Sequence, residues 1–171
     1  MIDDAYCRAF SRYNQWMNEK LYELSGALPD AERKRDRGAF FGSIHATLDH
    51  LLYGDLALLS RFTGDPDPMP VLGERLHEDF AELRDERRLV DLRLVSWCDG
   101  LSQSWLAEPM QFTSQTDGIT RELPRWVLVA HQFNHQTHHR GQLTTLLSQL
   151  GLDPGDTDLH KLPHLADLLK T

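Results

Sequence analysis

The stretch His131–Gln142 places four of the nine histidines of the chain within nine consecutive positions. Imidazole nitrogen is a good ligand for zinc, copper, iron and nickel, so this stretch is a candidate metal-binding segment. Two histidines one helical turn apart can turn their rings toward the same ion. That spacing of four residues separates His131 from His135 and His135 from His139.

A rotation of about 100° per residue along a helix divides these histidines into two groups. His135 and His139 fall among the leucines of the apolar face. His131 and His138 fall beside polar residues such as Gln149, at the edge of this face or outside it. We therefore predict that His135 and His139 point inward together, either as metal ligands or as a hydrogen-bonded histidine network without metal.

Two imidazoles are too few for a tight metal site, so a third ligand must come from elsewhere in the chain. One upstream feature is Asp55, which lies within the apolar stripe of its predicted helix. A carboxylate in such a position needs a partner, which can be a ligand imidazole, an arginine or a helix terminus. Helical periodicity does not choose among the remaining candidate ligands, which are His45, His50, His77, His160 and His164.

Four long helical patterns must position these side chains. The first pattern begins with acidic residues in its first turn and ends at Gly26. A proline-rich break at residues 63–70 ends the second pattern. Gly100 marks either a kink or an early end of the third, while Pro124 and Gly151 delimit the fourth. The predicted helices span Asp3–Gly26, Gly38–Phe62, Glu74–Leu106 and Pro124–Leu150.

Residues Met110–Leu123 have a different pattern, with β-branched residues on either side of Asp117 and Gly118. This pattern is typical of a short β-hairpin, which would have to lie on the helices because two strands alone are marginally stable. The tail after Gly151 has room for one short helix. The sequence predicts one all-α domain over residues 1–171, a four-helix bundle with a short β-hairpin or ordered loop before its last long helix.

Composition excludes several classes of function. The net charge is −8, with 26 acidic against 18 basic residues, so we expect no nucleic-acid partner. No apolar run approaches the roughly 20 residues of a membrane span, and the N-terminus lacks the apolar region of a signal peptide. Cys7 and Cys98 fit no metal or redox motif, and we expect both to be reduced. These features predict a cytoplasmic protein that does not bind membranes.

Three blocks of sequence, in order along nearly the whole chain, resemble one known family. They are Tyr13–Asn18, Gly42–Asp55 and His131–Gln142. The sequence resembles the DinB/YfiT-like metalloproteins, the DNA-damage-inducible DinB family of bacteria, which is unrelated to the Y-family polymerase of the same name. The resemblance implies an up-down-down-up bundle that binds one divalent metal ion, zinc or nickel. The ligands it implies are His50, His135 and His139.

The resemblance also implies a function. Proteins of similar architecture include thiol-dependent S-transferases and isomerases, so we expect a metal-dependent enzyme, S-transferase-like or hydrolase-like. Its partners would be a small-molecule substrate and a low-molecular-weight thiol as cosubstrate. The alternative is a non-catalytic, metal-dependent ligand-binding or stress-response protein, and a third possibility is a metal-free helical interaction module. Apolar helix faces in such bundles often support dimers, so we also expect a homodimer.

Three residues near the implied ligands are candidates for supporting roles: Asp55, Arg140 and Gln142. Arg140 fits a surface cation equally well. We expect Gly141, beside it, to permit close packing of helices.

Overall fold

The computed structural model describes residues 1–64, 73–114 and 117–170. Four long helices build the protein, and shorter helices and one hairpin connect them. This confirms the all-α class and the bundle with a hairpin before its last long helix. The elements are α1 (Asp4–Gly26), α2 (Asp30–Lys34), α3 (Ile44–Thr63), α4 (Phe80–Asp99), α5 (Gln103–Ala107), β1 (Pro109–Thr113), β2 (Thr120–Pro124), α6 (Arg125–Ser148), a 3-10 turn (Leu159–Lys161) and α7 (Leu165–Leu168).

Contacts between side chains establish the directions of the long helices. Residues early in α1 meet the end of α4, so these two helices are antiparallel. Helices α3 and α4 meet start to start and end to end, so they are parallel, whereas α3 and α6 are antiparallel. The bundle therefore runs up-down-down-up, as expected. The contacts are Arg12–Asp99, Asn18–Asp91, His45–Phe80, Phe62–Trp97, His50–His139 and Asp55–Gln132.

The second long helix begins later than the apolar pattern predicted. It starts at Ile44 rather than at Gly38, because the Ser43 side chain accepts a hydrogen bond from the N–H of Ala46 and caps the helix. The preceding Gly42 has a φ of 78°, a left-handed conformation that a helix cannot contain. Apolar periodicity continues through such a cap, so the pattern alone placed the boundary too early.

The third long helix is shorter than predicted at both ends. It begins at Phe80 rather than at Glu74, where the Asp79 carboxylate accepts two backbone N–H groups. It ends just before Gly100, which therefore marks an early end and not a kink. The predicted continuation to Leu106 is a separate short helix, α5, with its own serine cap.

Strands β1 and β2 pair antiparallel, with Met110 opposite Leu123 and Phe112 opposite Arg121, which confirms the hairpin. The backbone N–H of Arg125 donates to the carbonyl of Glu108 at 2.9 Å, so the base of the hairpin is tied to the first residue of α6.

At the predicted break after the second long helix, α3 ends at Thr63, and most of the proline-rich segment lies outside the described residues. The short helix α7 confirms the one predicted in the tail.

The apolar core has two clusters. The larger contains leucines of α1, α3 and α6 together with Met17, and the smaller contains Leu94 and Phe133. Cys7 and Cys98 lie in the smaller cluster as free, buried thiols. None of the helices in the described ranges is long and apolar enough to cross a membrane.

Candidate metal centre

Three histidines from two helices converge at one side of the bundle. His50 on α3 and His135 and His139 on α6 each offer a ring nitrogen, and these nitrogens all lie within 4.8 Å of one another. The Nε2 atoms of His50 and His135 are 3.0 Å apart. The rings of His135 and His139, one turn apart, have centroids 4.4 Å apart. The structure thus brings together the three residues that the family resemblance implied.

The spacing of two of these nitrogens is close to that in a metal site, and the third lies within 4.8 Å of both. Zinc–nitrogen bonds of about 2.0–2.1 Å in a tetrahedral site separate two ligand nitrogens by about 3.3 Å. The 3.0 Å between His50 and His135 is close to that value. Three neutral imidazoles suit zinc or nickel and leave at least one coordination position for another ligand.

Burial keeps these imidazoles in the uncharged form that binds metals. Desolvation, followed by the effect of nearby His139, lowers the pKa of His50 from its ordinary 6.5 to about 4. Desolvation, followed by the effects of His139 and His50, lowers the pKa of His135 to about 3. The pKa of His139 is also lowered by desolvation, against the opposing effect of a hydrogen bond to Gln142. At neutral pH this histidine triad is therefore uncharged, which is the form in which imidazole binds a metal.

Neighbouring side chains orient two of the rings. The Nδ1 atom of His139 lies 2.8 Å from the Gln142 amide oxygen. An oxygen accepts at that position, so Nδ1 carries the proton and Nε2 keeps its lone pair. The ring of Phe41 stacks on His50 with centroids 3.9 Å apart and covers that side of the triad. Gln142, a supporting candidate from the sequence, thus contacts a member of the triad.

Gly54 allows His135 to approach α3. A Cβ atom at this position would lie 3.1 Å from Cε1 of His135 and 3.4 Å from its Nδ1. Sequence reasoning did not nominate Gly54, although it falls with other small residues on the same side of α3 as His50. The close-packing role expected of Gly141 is wrong, because that residue is exposed and a Cβ there would meet nothing within 4 Å.

The other histidines lie outside the triad. His131 and His138 are exposed at its rim, as the helical pattern predicted. His45 is buried, and its Nε2 lies 2.8 Å from the backbone carbonyl oxygen of His77. The ring of His77 pairs with Glu86. His160 and His164 are exposed in the tail.

Asp55 supports a different part of the bundle. Its carboxylate is fully buried and lies 2.8 Å from a terminal nitrogen of Arg87 on α4. It also accepts hydrogen bonds from Gln132 at 3.1 Å and from Gln136 at 2.7 Å. Of the partners left open by the sequence, the structure shows an arginine, so Asp55 does not orient a ligand imidazole.

Arg140 is buried and is not a surface cation. Its guanidinium donates to the Asn14 side chain and lies over the ring of Tyr13, 5.3 Å from the centroid. Burial lowers the pKa of Arg140 to about 10, so the side chain stays protonated at neutral pH. Sequence reasoning missed this polar row on α6. The signal was present, because Gln132, Gln136 and Arg140 recur every four residues and fall at about 140°, 180° and 220° on the apolar face.

A pocket of about 520 Å³ opens beside the triad, between α3 and α6. His50 and His135 line one end, and Phe112 and Leu123 of the hairpin lie along its wall. Its size is within the range of small-molecule sites. A ligand in this pocket would be in contact with the histidine triad.

Fold and site together define a class of protein: an up-down-down-up helical bundle with three converging histidines beside a pocket. The sequence model of the DinB family matches residues 1–169. The chain is 28% identical over 152 residues to Protein DinB of Bacillus subtilis (strain 168), an alignment that covers 85% of this chain and 87% of that protein. This chain therefore belongs to the DinB family.

Proposed function

We propose that His50, His135 and His139 bind one divalent metal ion, zinc or nickel, and that the protein is a metal-dependent enzyme acting on a small molecule in the adjoining pocket. The observation that carries this proposal is the convergence of three uncharged imidazoles beside that pocket. A metal ion held by His50, His135 and His139 would act as a Lewis acid and would lower the pKa of a bound thiol or water.

The carboxylates around the triad favour thiol-dependent transfer over hydrolysis with a carboxylate base. Hydrolysis needs a general base next to the activated water, most often a histidine or a carboxylate, and His131 is a histidine of the pocket wall outside the triad. Within the described ranges, Asp117 of the pocket wall is bound to Arg121 and Asp55 is bound to Arg87. A thiolate needs no further base once its proton is lost, and the low-molecular-weight thiol would be the cosubstrate.

The first test is metal analysis of the purified protein after dialysis. We expect about one equivalent of zinc or nickel per chain, and less than about 0.2 equivalents in His50→Ala, His135→Ala and His139→Ala. The matched controls are His131→Ala and His138→Ala, histidines of the same helix outside the triad, which should bind the metal as the wild type does. Loss of metal in a control, or its retention in all three triad variants, would contradict the proposed ligand set.

The second test concerns turnover. Metal-loaded protein is incubated with a panel of low-molecular-weight thiols and organic electrophiles, and consumption of thiol is followed. We expect the metal-loaded wild type to form a thioether. Thioether formation should be absent from His135→Ala and from the metal-stripped wild type, and it should return when metal is restored to the stripped wild type. Release of acid or alcohol without thiol consumption would indicate a hydrolase instead.

A non-catalytic protein would give a different result. If no compound in the panel turns over, but thiols or electrophiles raise the melting temperature of the metal-loaded protein, the alternative of a ligand-binding or stress-response protein is favoured. The expected homodimer is a separate proposal, which light scattering of the metal-loaded protein tests directly.

A further inference from the structure

The pocket beside the triad is long and has a polar group at each end. Along α3 its lining residues follow one face, from His50 through Gly54 and Ala57 to Arg61. His50 and Arg61 are eleven positions apart on the helix, a distance of about 16 Å along the axis at 1.5 Å per residue. The small side chains of Gly54 and Ala57 keep the space between these ends open.

The walls of this trough are mostly apolar, although His131 of α6 also lines it. Leu58 of α3, Val127 of α6 and the hairpin residues Phe112 and Leu123 line it. Burying such surfaces against a ligand favours hydrocarbon, at roughly 25 cal/mol per Å². The walls therefore suit a largely apolar chain or ring system between its two ends.

The far end of the trough carries a positive charge. Two arginines line it, but they differ in their partners. Arg121 donates to both carboxylate oxygens of Asp117, at 3.1 and 2.6 Å, so its charge is already compensated. Arg61 is half-buried and makes no hydrogen bond or ion pair with residues 1–64, 73–114 or 117–170. A guanidinium in this position is suited to pair with a carboxylate through two parallel hydrogen bonds.

We propose that this trough binds an elongated apolar molecule with a terminal carboxylate, which pairs with Arg61 while the opposite, reactive end of the molecule lies against the histidine triad. The proposal rests on the proposed function for the role of the triad, and it names the class of substrate for that site. The protein alone recognises the carboxylate end of the molecule, so binding of this end does not depend on the metal.

The test uses protein loaded with cobalt(II), in which a bound thiolate produces a charge-transfer absorption band. Three thiols are titrated: mercaptoundecanoate, mercaptoundecanol of the same length, and short mercaptopropionate. We expect mercaptoundecanoate to bind about 10- to 100-fold more tightly than mercaptoundecanol, because only the acid can form a charged hydrogen bond to Arg61. Equal affinities of the two long thiols would overturn the proposal.

Variants assign this preference to one residue. In Arg61→Gln the two long thiols should bind equally, whereas Arg121→Gln, the matched control in the same pocket, should keep most of the preference. Ala57→Phe should fill the trough and weaken both long thiols while leaving mercaptopropionate unchanged. A preference for the acid that survives Arg61→Gln would also overturn the proposal, and circular dichroism and melting curves verify that the variants are folded.

A separate measurement distinguishes failure of this proposal from failure of the proposed function. If cobalt does not bind to the triad, the proposed function fails, and calorimetric binding of dodecanoate to wild type and Arg61→Gln then decides on the trough alone. Tighter binding of dodecanoate to the wild type, by about 10-fold or more, supports the carboxylate site. Equal or undetectable binding to both proteins overturns it.

Discussion

Two polar clusters share helix α3, one between α3 and α6 and the other between α3 and α4, and they differ in how their polar groups are satisfied. The histidine triad directs uncharged nitrogens toward a common point beside a pocket. The second cluster, here called the buried ion cluster, consists of Asp55, Arg87 and Asp91 and is closed off from solvent. Arg87 lies 2.8 Å from Asp55 and 2.9 Å from Asp91.

The difference indicates which cluster needs something from outside the chain. In the buried ion cluster, burial alone would lower the pKa of Arg87, but Asp91 and Asp55 outweigh it and raise that pKa. The opposite charges thus come from the protein itself. In the triad, desolvation and then the facing imidazoles lower the pKa values of His50 and His135. Such an arrangement gains most from a cation bound between the rings. We therefore infer a structural role for the buried ion cluster, and we propose metal binding for the triad.

The largest effect is expected from Arg87→Met, which leaves two carboxylates unpaired in the core. It should lower the free energy of unfolding by about 3–5 kcal/mol, while the folded protein still binds its metal. Urea unfolding and metal analysis at low temperature measure the two quantities. The control is Arg88→Met, on the same helix but with a side chain 66% exposed, for which the change should stay within about 0.5 kcal/mol. Loss of metal in folded Arg87→Met would show that the clusters are coupled.

Substitutions of two glutamines on α6 test whether the two clusters have separate roles. Gln142→Leu removes the acceptor for His139 and should weaken zinc binding about 10- to 100-fold, with little change in the stability of the metal-free protein. Gln132→Leu removes a donor to Asp55 and should lower that stability by about 1–3 kcal/mol, with zinc affinity unchanged. Competition with a chromophoric chelator gives the affinities. If both variants lost affinity and stability equally, the division of roles would be wrong.

Two glycine-to-alanine substitutions are expected to have smaller effects, one weakening zinc binding and the other stabilising the helix. In Gly54→Ala the new Cβ must displace the His135 ring, which we expect to weaken zinc binding about tenfold, as disturbed ligand orientation commonly does. In Gly141→Ala nothing obstructs the Cβ, so the helix should gain about 0.5–1 kcal/mol with no loss of affinity. The same chelator assay and urea unfolding apply to both. Wild-type zinc affinity in Gly54→Ala would show that His135 can move without cost.

The smallest effect is expected from mild acid. Protons compete with metal for the imidazoles, so affinity falls only where the metal-free histidines begin to bind protons. Because the pKa values of His50 and His135 are lowered to about 4 and about 3, zinc occupancy should change little between pH 7 and about pH 5. Ordinary histidines, with a pKa of about 6.5, would lose affinity across that range. A steep loss near pH 6.5 would show that the triad is more solvated than the structure indicates.

Much of the fold followed from helical periodicity and from turn residues. The four long helices, the hairpin around Gly118 and the inward direction of His135 and His139 were predicted correctly, because each depends on the order of residues within one element. The starts of α3 and α4 were placed too early, because the caps at Ser43 and Asp79 interrupt the helix without interrupting its apolar pattern.

Contacts between helices could not be predicted in the same way. Periodicity indicated that Asp55 points inward but not that Arg87 faces it, because no pattern within α3 specifies which residue of α4 lies opposite. His50 falls away from the centre of the apolar stripe of α3. It was found only through the family resemblance, since the triad lies at the edge of the bundle, beside a pocket and away from the centre of the apolar core.

By itself, the sequence determined which residues share a helix face, since the helical repeat places side chains every four positions on the same side. The tertiary structure decided which faces meet. Packing of α3 against α6 brings His50 to the pair on the facing helix and places Gly54 where His135 needs room, while packing of α3 against α4 directs Asp55 toward Arg87. Residues five positions apart on a helix point about 140° away from each other. His50 and Asp55 therefore serve different clusters, although a single short motif contains both.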